Sequence, residues 1–301
     1  MDSLAVTIAA TDAGYPRRLR EVSDKPEWLE VRGHLPEAEQ AIAIVGARAA
    51  SQGDAQAAHD LAYALARRGT LVVSGGALGI DAAAHRGALA AAQETGTPAT
   101  GTTVAVLGCG LDVVYPERHG ALYRDIGEHG AVVSQFVRDA PPRGWHFARR
   151  NRTLAALADA VVVIGAGAHS GALRTAQAAR HYHRLVAAMP GSPGGEALIA
   201  SGAAVVRTID DLDSALAGAP VRPTVTLPDA ASPNYRVLRQ LEGGDRKDID
   251  QLVQGTGFGV RVVQRALVRL ELDGLVVPRP GLGYECSRLA MELLAARGAC
   301  G

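Results

Sequence analysis

Ile42-Ala-Ile-Val-Gly-Ala-Arg-Ala-Ala-Ser51 is the stretch on which the fold turns. Its first four residues are apolar without alternation, as in a strand covered on both faces, and the glycine after them opens a turn into Ala55–Arg68, which has helical period. Working outward, the unit recurs. Leu71–Val73, Val104–Leu107, Ala131–Val133, Ala160–Ile164 and Leu185–Ala188 read as further buried strands, with Ala203–Arg207 at an edge. Ala82–Ala92, Arg118–Glu128, Arg152–Leu157 and Leu173–His181 read as the helices between them. The alternation predicts an α/β fold, a mostly parallel, doubly wound, Rossmann-like sheet. Ligands of such sheets bind outside the carboxyl ends of the strands, so the loops there carry the chemistry.

Ile44-Val-Gly-Ala-Arg48 leaves the first of these strands, and Ser51 or Asp54 is placed to cap the following helix and leave N–H groups facing the crevice. A dinucleotide fingerprint is excluded, because Ala47 to Ser51 fill the places of its later glycines; an NTPase loop is excluded too, because the only lysines, Lys25 and Lys247, lie far from any glycine loop. Ser74-Gly-Gly-Ala-Leu-Gly-Ile-Asp81 follows the next strand, with Asp81 read as a helix cap and His85 one turn later. Cys109 reads as a small packing residue, and Ser170 as a cap before Gly171.

The densest loop is Pro141-Pro-Arg-Gly-Trp-His-Phe-Ala-Arg-Arg-Asn-Arg152. There Arg149, Arg150 and Arg152 are able to neutralise phosphates, while Trp145, His146 and Phe147 offer faces for an unstacked base. Its structural reading is an arginine cluster over a helix start, with Trp145 and Phe147 in the core. The close histidine pair, His181 and His183, does not share a helical face, which argues against a metal site. Anion-binding features without a base, nucleophile or metal set argue for binding rather than turnover, and for no cofactor.

Composition frames these loops. The chain has 301 residues, is 48% hydrophobic, and carries 31 Lys+Arg against 31 Asp+Glu, so attraction of a polyanion must come from local clustering. Three cysteines without metal-ligand spacing fit a reducing cytoplasm. No apolar run approaches membrane-spanning length, and the acidic start lacks the charge of a signal peptide.

The expected division is a lead-in segment over residues 1–40 packed on the core, with Trp28–Val31 as a strand, then a Rossmann-like domain over 41–217. A Pro-rich linker over 218–233 and a tail over 291–301 flank a small domain over 234–290. Apolar spacing in that domain predicts three short helices and a two-strand ribbon, a winged-helix arrangement. Arg261, Arg265 and Arg269 fall four apart on its third helix, the element that enters a major groove; seven acidic residues nearly cancel the local basic ones, which favours partner docking over duplex reading.

Over about residues 15–290 the sequence resembles the DNA-processing protein A family, also called DprA or Smf. The resemblance rests on an ordered set: Ile44-Val-Gly-Ala-Arg48, Ser74 to His85, Ala105 to Pro116, Trp145 to Arg152, Ser170-Gly-Ala-Leu173 and Pro190-Gly-Ser192. It implies an extended Rossmann-like domain that binds and protects single-stranded DNA, works as a homodimer, and loads the RecA recombinase during natural transformation. It also implies a DNA site comprising Gly46, Arg48, Ser74, Gly75, Phe147, Arg149, Arg150, Asn151, Arg152, Ser170 and Gly171. Three positions depart from the family pattern: Ala47 for a serine, Ala148 for a proline and Gly165 for a glutamate.

Two alternatives stand beside this. A nucleotide-processing enzyme similar to the lysine-decarboxylase-like phosphoribohydrolases would need a Pro-Gly-Gly-x-Gly-Thr run followed by glutamate, which Pro190 to Glu196 only echoes. A winged-helix transcription regulator would bind duplex DNA through Arg261, Arg265 and Arg269. An apolar stripe from Leu198 to Val206 is a candidate dimer face.

Overall fold

A computed structural model describes residues 5–95, 102–218, 227–243, 246–272, 275–279, 283–287, 290–291 and 293–295. The chain divides into two units, Met1–Val221 and Arg222–Gly301. Half of the expected linker, residues 219–226, and most of the expected tail lie outside the described residues.

In the first unit the apolar runs become β3 (Ala41–Gly46), β4 (Leu71–Gly75), β5 (Thr103–Val106), β6 (Ala131–Ser134), β7 (Ala160–Ile164), β8 (Leu185–Ala188) and β9 (Ala204–Val205), all paired in parallel. The helices are α2 (Gln52–Arg67), α3 (Ile80–Thr95), α4 (Gly120–His129), α5 (Gly144–Ala156), α6 (Gly171–His181), α7 (Pro193–Ala200) and α8 (Ile209–Leu216). Period-two alternation sorts the strand side chains. Ile42 and Ile44 join Leu61, Leu65, Ala84 and Leu212 on one face, while Ala41, Ala43 and Val45 join Leu154, Ala155 and Ala176 on the other, which is the doubly wound arrangement.

Residues before 41 do more than lead in. After β1 (Val6–Ala9) and the short α1 (Arg17–Arg20), β2 (Trp28–Gly33) pairs antiparallel with β6, and β1 pairs with β2, so they extend the sheet to nine strands in the order β1-β2-β6-β5-β4-β3-β7-β8-β9. Parallel crossovers run outward from β3 in both directions, towards β4 and towards β7. The switch point, where loops part and leave a crevice, is therefore between β3 and β7.

Two expectations are corrected here. The arginine stretch is not a loop leading to a helix at Arg152: extended backbone at Arg143 (φ −129°, ψ 151°) gives way to α5 at Gly144, two residues after the Pro pair, and the Arg-rich run continues it because Arg and Ala are good helix formers. The stripe from Leu198 to Val206 is largely spent internally, since Leu198, Ala203, Val205 and Val206 are buried and Ile199 and Ala204 are half-buried.

The second unit contains α9 (Pro233–Gln240), α10 (Ile249–Thr256), α11 (Val260–Leu272) and the antiparallel ribbon β10 (Val276–Arg279) with β11 (Gly283–Cys286). Val237, Leu238, Leu241, Leu252, Val263, Leu267 and Leu270 form its core. This is the winged-helix arrangement the apolar spacing predicts. Ser232 and Asp248 cap α9 and α10 by accepting from the backbone N–H three residues on. No described helix of the chain is long and apolar enough to cross a membrane.

Candidate nucleic-acid interface

At the switch point lies a cleft of about 690 Å³ lined by the β3–α2 loop (Gly46, Arg48), the first two turns of α5 (Gly144, Phe147, Ala148, Asn151) and the first turn of α6 (Ser170, Gly171, Arg174). Phe147 is its aromatic element. The Arg48 guanidinium lies over the ring at 5.6 Å from the centroid, that of Arg150 at 5.9 Å, and Tyr115 packs tilted against it at 5.8 Å. The ring also presses so closely on the β5 end that a side chain at Gly108 would collide with it. Cations above an aromatic face are held by the ring quadrupole, so Phe147 and Arg48 form one preassembled surface.

The helix period divides the arginines that sequence order gathers together. Successive residues turn 100°, so Gly144, Phe147, Ala148 and Asn151 share the cleft face. Arg149 is exposed off that stripe, and Arg152 turns away entirely: its guanidinium pairs with Asp24 at 2.5 Å, and its Nε donates to the Tyr182 hydroxyl at 3.2 Å. Arg150 points inward and is 6% exposed; its Nη1 donates to the Val106 carbonyl at 2.8 Å and its Nε to Asn151 Oδ1 at 3.1 Å. A guanidinium keeps its charge even there, so Arg150 sets the field of the cleft floor rather than gripping a phosphate. Burial lowers its pKa, and the neighbouring Asp81 opposes that.

Ser74 and Gly75 belong to the same substructure and not to the surface. Ser74 is fully buried and donates to the Ile44 carbonyl at 2.6 Å, tying β4 to β3, while Gly75 lies against Arg150 and Asp81 where no side chain would fit. Asp81 is not a cap but the second residue of α3; it accepts from the Ala77 N–H at 3.3 Å, and burial raises its pKa, with Arg150 the leading opposing influence. His85 is fully buried with Nδ1 2.8 Å from the Thr103 hydroxyl, and burial lowers its pKa to about 3. The Cys109 thiol is buried, donates to the Val113 carbonyl at 3.3 Å, and is pushed up by burial to about 11, so it stays protonated and packs.

The two helix starts at the cleft differ. At α2, Ser51 caps by accepting from the Asp54 N–H at 3.1 Å and donates to Asp54 Oδ2 at 2.7 Å, so the chain's own carboxylate already faces that N-terminus. This explains Gly165: its φ is +63°, and a Cβ there would lie 2.9 Å from Asp54 Oδ2. At α6, Ser170 caps by accepting from the Ala172 N–H at 3.3 Å and the first turn holds no acidic residue, so this start is free for an anion. His169 and Arg174 join it, and neither stood out in the sequence; Arg174, four residues after the cap Ser170, is the position a helical wheel would have flagged. Of the expected residues the cleft therefore gathers Gly46, Arg48, Phe147, Arg150, Asn151, Ser170 and Gly171.

Comparison with known proteins bears directly on this arrangement. The family model for DNA recombination-mediator protein A matches residues 6–217, and that for the DprA winged helix domain matches residues 221–281. The putative DNA processing protein DprA of Mycobacterium tuberculosis is 37% identical over 313 residues, spanning 99% of this chain and 78% of that protein; Protein Smf of Escherichia coli is 34% identical over 303 residues, spanning 95% and 78%. Among solved structures, DNA processing protein A of Streptococcus pneumoniae aligns with a TM-score of 0.61 at 34% identity, over 69% of this chain and 73% of that one. The Helicobacter pylori protein, described for its single-stranded DNA binding mode, aligns with a TM-score of 0.63 at 27% identity, over 72% and 99%. Family models match both units, with 37% identity to a relative spanned across 99% of this chain, and the chain belongs to the DNA recombination-mediator protein A family.

Proposed function

We propose that this chain binds and protects single-stranded DNA along the carboxyl edge of its sheet, acts as a homodimer in the cytoplasm, and passes the strand to the RecA recombinase without turning over a substrate. The observation that carries the reading is the Phe147 ring with Arg48 over it in an open cleft, beside the α6 start, whose first turn holds no acidic residue. A base stacked on Phe147 places its flanking phosphates near Arg48, Arg174 and the N–H of Gly171. Stacking of this kind is worth about 1–3 kcal/mol per base and tolerates any sequence, which suits a protein that coats incoming strands. The description of the Helicobacter pylori relative is consistent with this chemistry.

The enzymatic alternative is less well supported. Glu196, which would have to serve as the carboxylate of a phosphoribohydrolase, accepts from the Gly191 N–H at 2.7 Å and closes its own loop. Asp81 and Cys109 are buried and held in their neutral forms' favour.

Fluorescence anisotropy with labelled oligonucleotides, single-stranded against duplex, tests the proposal on wild type, Arg48→Ala and Phe147→Ala. Preferential single-strand binding that both variants weaken supports it. Equal binding of duplex, untouched by either variant, would overturn it, and release of free base from nucleoside monophosphates would install the enzyme in its place.

A further inference from the structure

On the side of α5 away from the cleft, Trp145 is 55% exposed. It is not loose: it stands edge-on to Phe136 at 5.9 Å and to His146 at 4.0 Å, and His146 is itself stacked on the buried Phe136 at 4.0 Å and 20°. A large ring held rigidly from below and presented to solvent is costly to leave uncovered. Arg143 just before it and Arg149 one turn after it are exposed, and their guanidinium groups have no hydrogen bond or ion pair among the described residues. The neighbouring cations are neutralised, Arg138 by Glu30 at 3.0 Å and Arg152 by Asp24. The acidic group of this loop is the exposed Asp139.

This surface is continuous with the cleft. The β5–α4 and β6–α5 loops are laced together, Gly110 N–H to the Ala140 carbonyl at 2.8 Å and Asp112 N–H to the Arg138 carbonyl at 2.9 Å. Phe147 sits over the end of β5, and Trp145 rests on Phe136, two residues past the end of β6. From the α6 start beyond β7 to Trp145 the edge crosses four strand intervals, about 19 Å at ~4.8 Å each.

We propose that a single strand bound in the cleft continues across the first turn of α5 and stacks a further base on Trp145, with Arg143 and Arg149 on the adjoining phosphates. The inference rests on the single-strand reading of the cleft and extends its length. Gly144 shares the first turn of α5 with both rings, and a Cβ there would meet nothing within 4 Å, so the backbone leaves room for the strand to pass. Unpaired arginines beside an open ring fit a polyanion with bases, which favours nucleic acid over an apolar peptide.

The chain has two tryptophans, so Trp28→Phe makes Trp145 the sole reporter of its emission. Oligothymidines of about 4 and about 20 nucleotides bracket one stacking station and several. The long strand quenches Trp145 and the short one does not; Trp145→Ala weakens the long strand about tenfold and the short one less than twofold, while Trp145→Phe restores most of the loss. Arg149→Ala, a surface change that leaves the core intact, lowers the salt slope for the long strand alone. Unchanged Trp145 emission with the long strand bound, together with wild-type affinity of Trp145→Ala, would overturn the inference. Wild-type affinity of Phe147→Ala with loss in Trp145→Ala would instead overturn the cleft reading and keep this one, and failure of the wild type to bind any single strand would sink both.

Discussion

The two arginine-bearing helices, α5 and α11, use the same residue type in opposite ways. In α5 three of four consecutive positions are arginine, and the 100° step sends one outward, one into the floor and one to Asp24. In α11 the arginines are four apart, and Arg261, Arg265 and Arg269 form one exposed stripe beside the exposed Val260, Val262 and Val268. The first pattern makes a site, because one guanidinium is built into the fold against the Phe147 ring. The second makes a surface, whose exposed charges are screened by salt. Clustering in sequence is therefore a poorer guide to a binding site than what stands beneath the cluster.

The contrast breaks most visibly at Arg150. Arg150→Ala should cost about 3 kcal/mol or more of stability in urea unfolding of the first unit, because it opens a cavity under the cleft and takes the buried donor from the Val106 carbonyl; a loss below about 1 kcal/mol would show that the guanidinium is as dispensable as a surface one. Next in size is Phe147→Ala, which should weaken single-strand binding by about 1–3 kcal/mol in anisotropy titrations with stability little changed.

Acid sensitivity sharpens the comparison, since all nine histidines lie in the first unit. His85 titrates near 3 when folded and near 6.5 when unfolded, so above pH 6.5 it contributes no pH dependence. As the pH falls from 6.5 towards 3 the unfolded chain takes up a proton that the folded one refuses, and stability drops by up to about 1.4 kcal/mol per pH unit. His85→Gln should flatten that limb in denaturant titrations across this range, and an unaltered slope would place the proton elsewhere. Smallest is Arg261→Ala with Arg265→Ala: single-strand affinity should shift less than about twofold with an unchanged salt slope, whereas a slope reduced by about 1.4 would mean that both cations sit on phosphates.

Local pattern made much of this legible. Unalternated runs such as Ile42 to Val45 need cover on both faces, and Ser51 and Ser170 announce helix starts, because strand and cap chemistry involve residues close in sequence. Ordered glycine and arginine motifs carried the family. The Pro141-Pro142 pair hid the true start of α5, since prolines before a helix and prolines in a loop look alike until the chain beyond them is packed.

What the sequence determined by itself, then, was every strand but β1, the winged unit and the chemistry at the sheet's carboxyl edge, all properties of neighbouring residues and their periods of 2 and 3.6. Tertiary structure decided which of those residues face a ligand. Ser74 and Gly75 were taken into the floor by the closeness of β3, β4 and α5, Asp54 was set at the α2 start against Gly165, and Arg174 was brought to the cleft from the far side of the switch point. The reason is geometric: a residue's side of a helix or sheet is local, but what lies opposite it is fixed only when strands more than a hundred residues apart, β3 and β7, become neighbours.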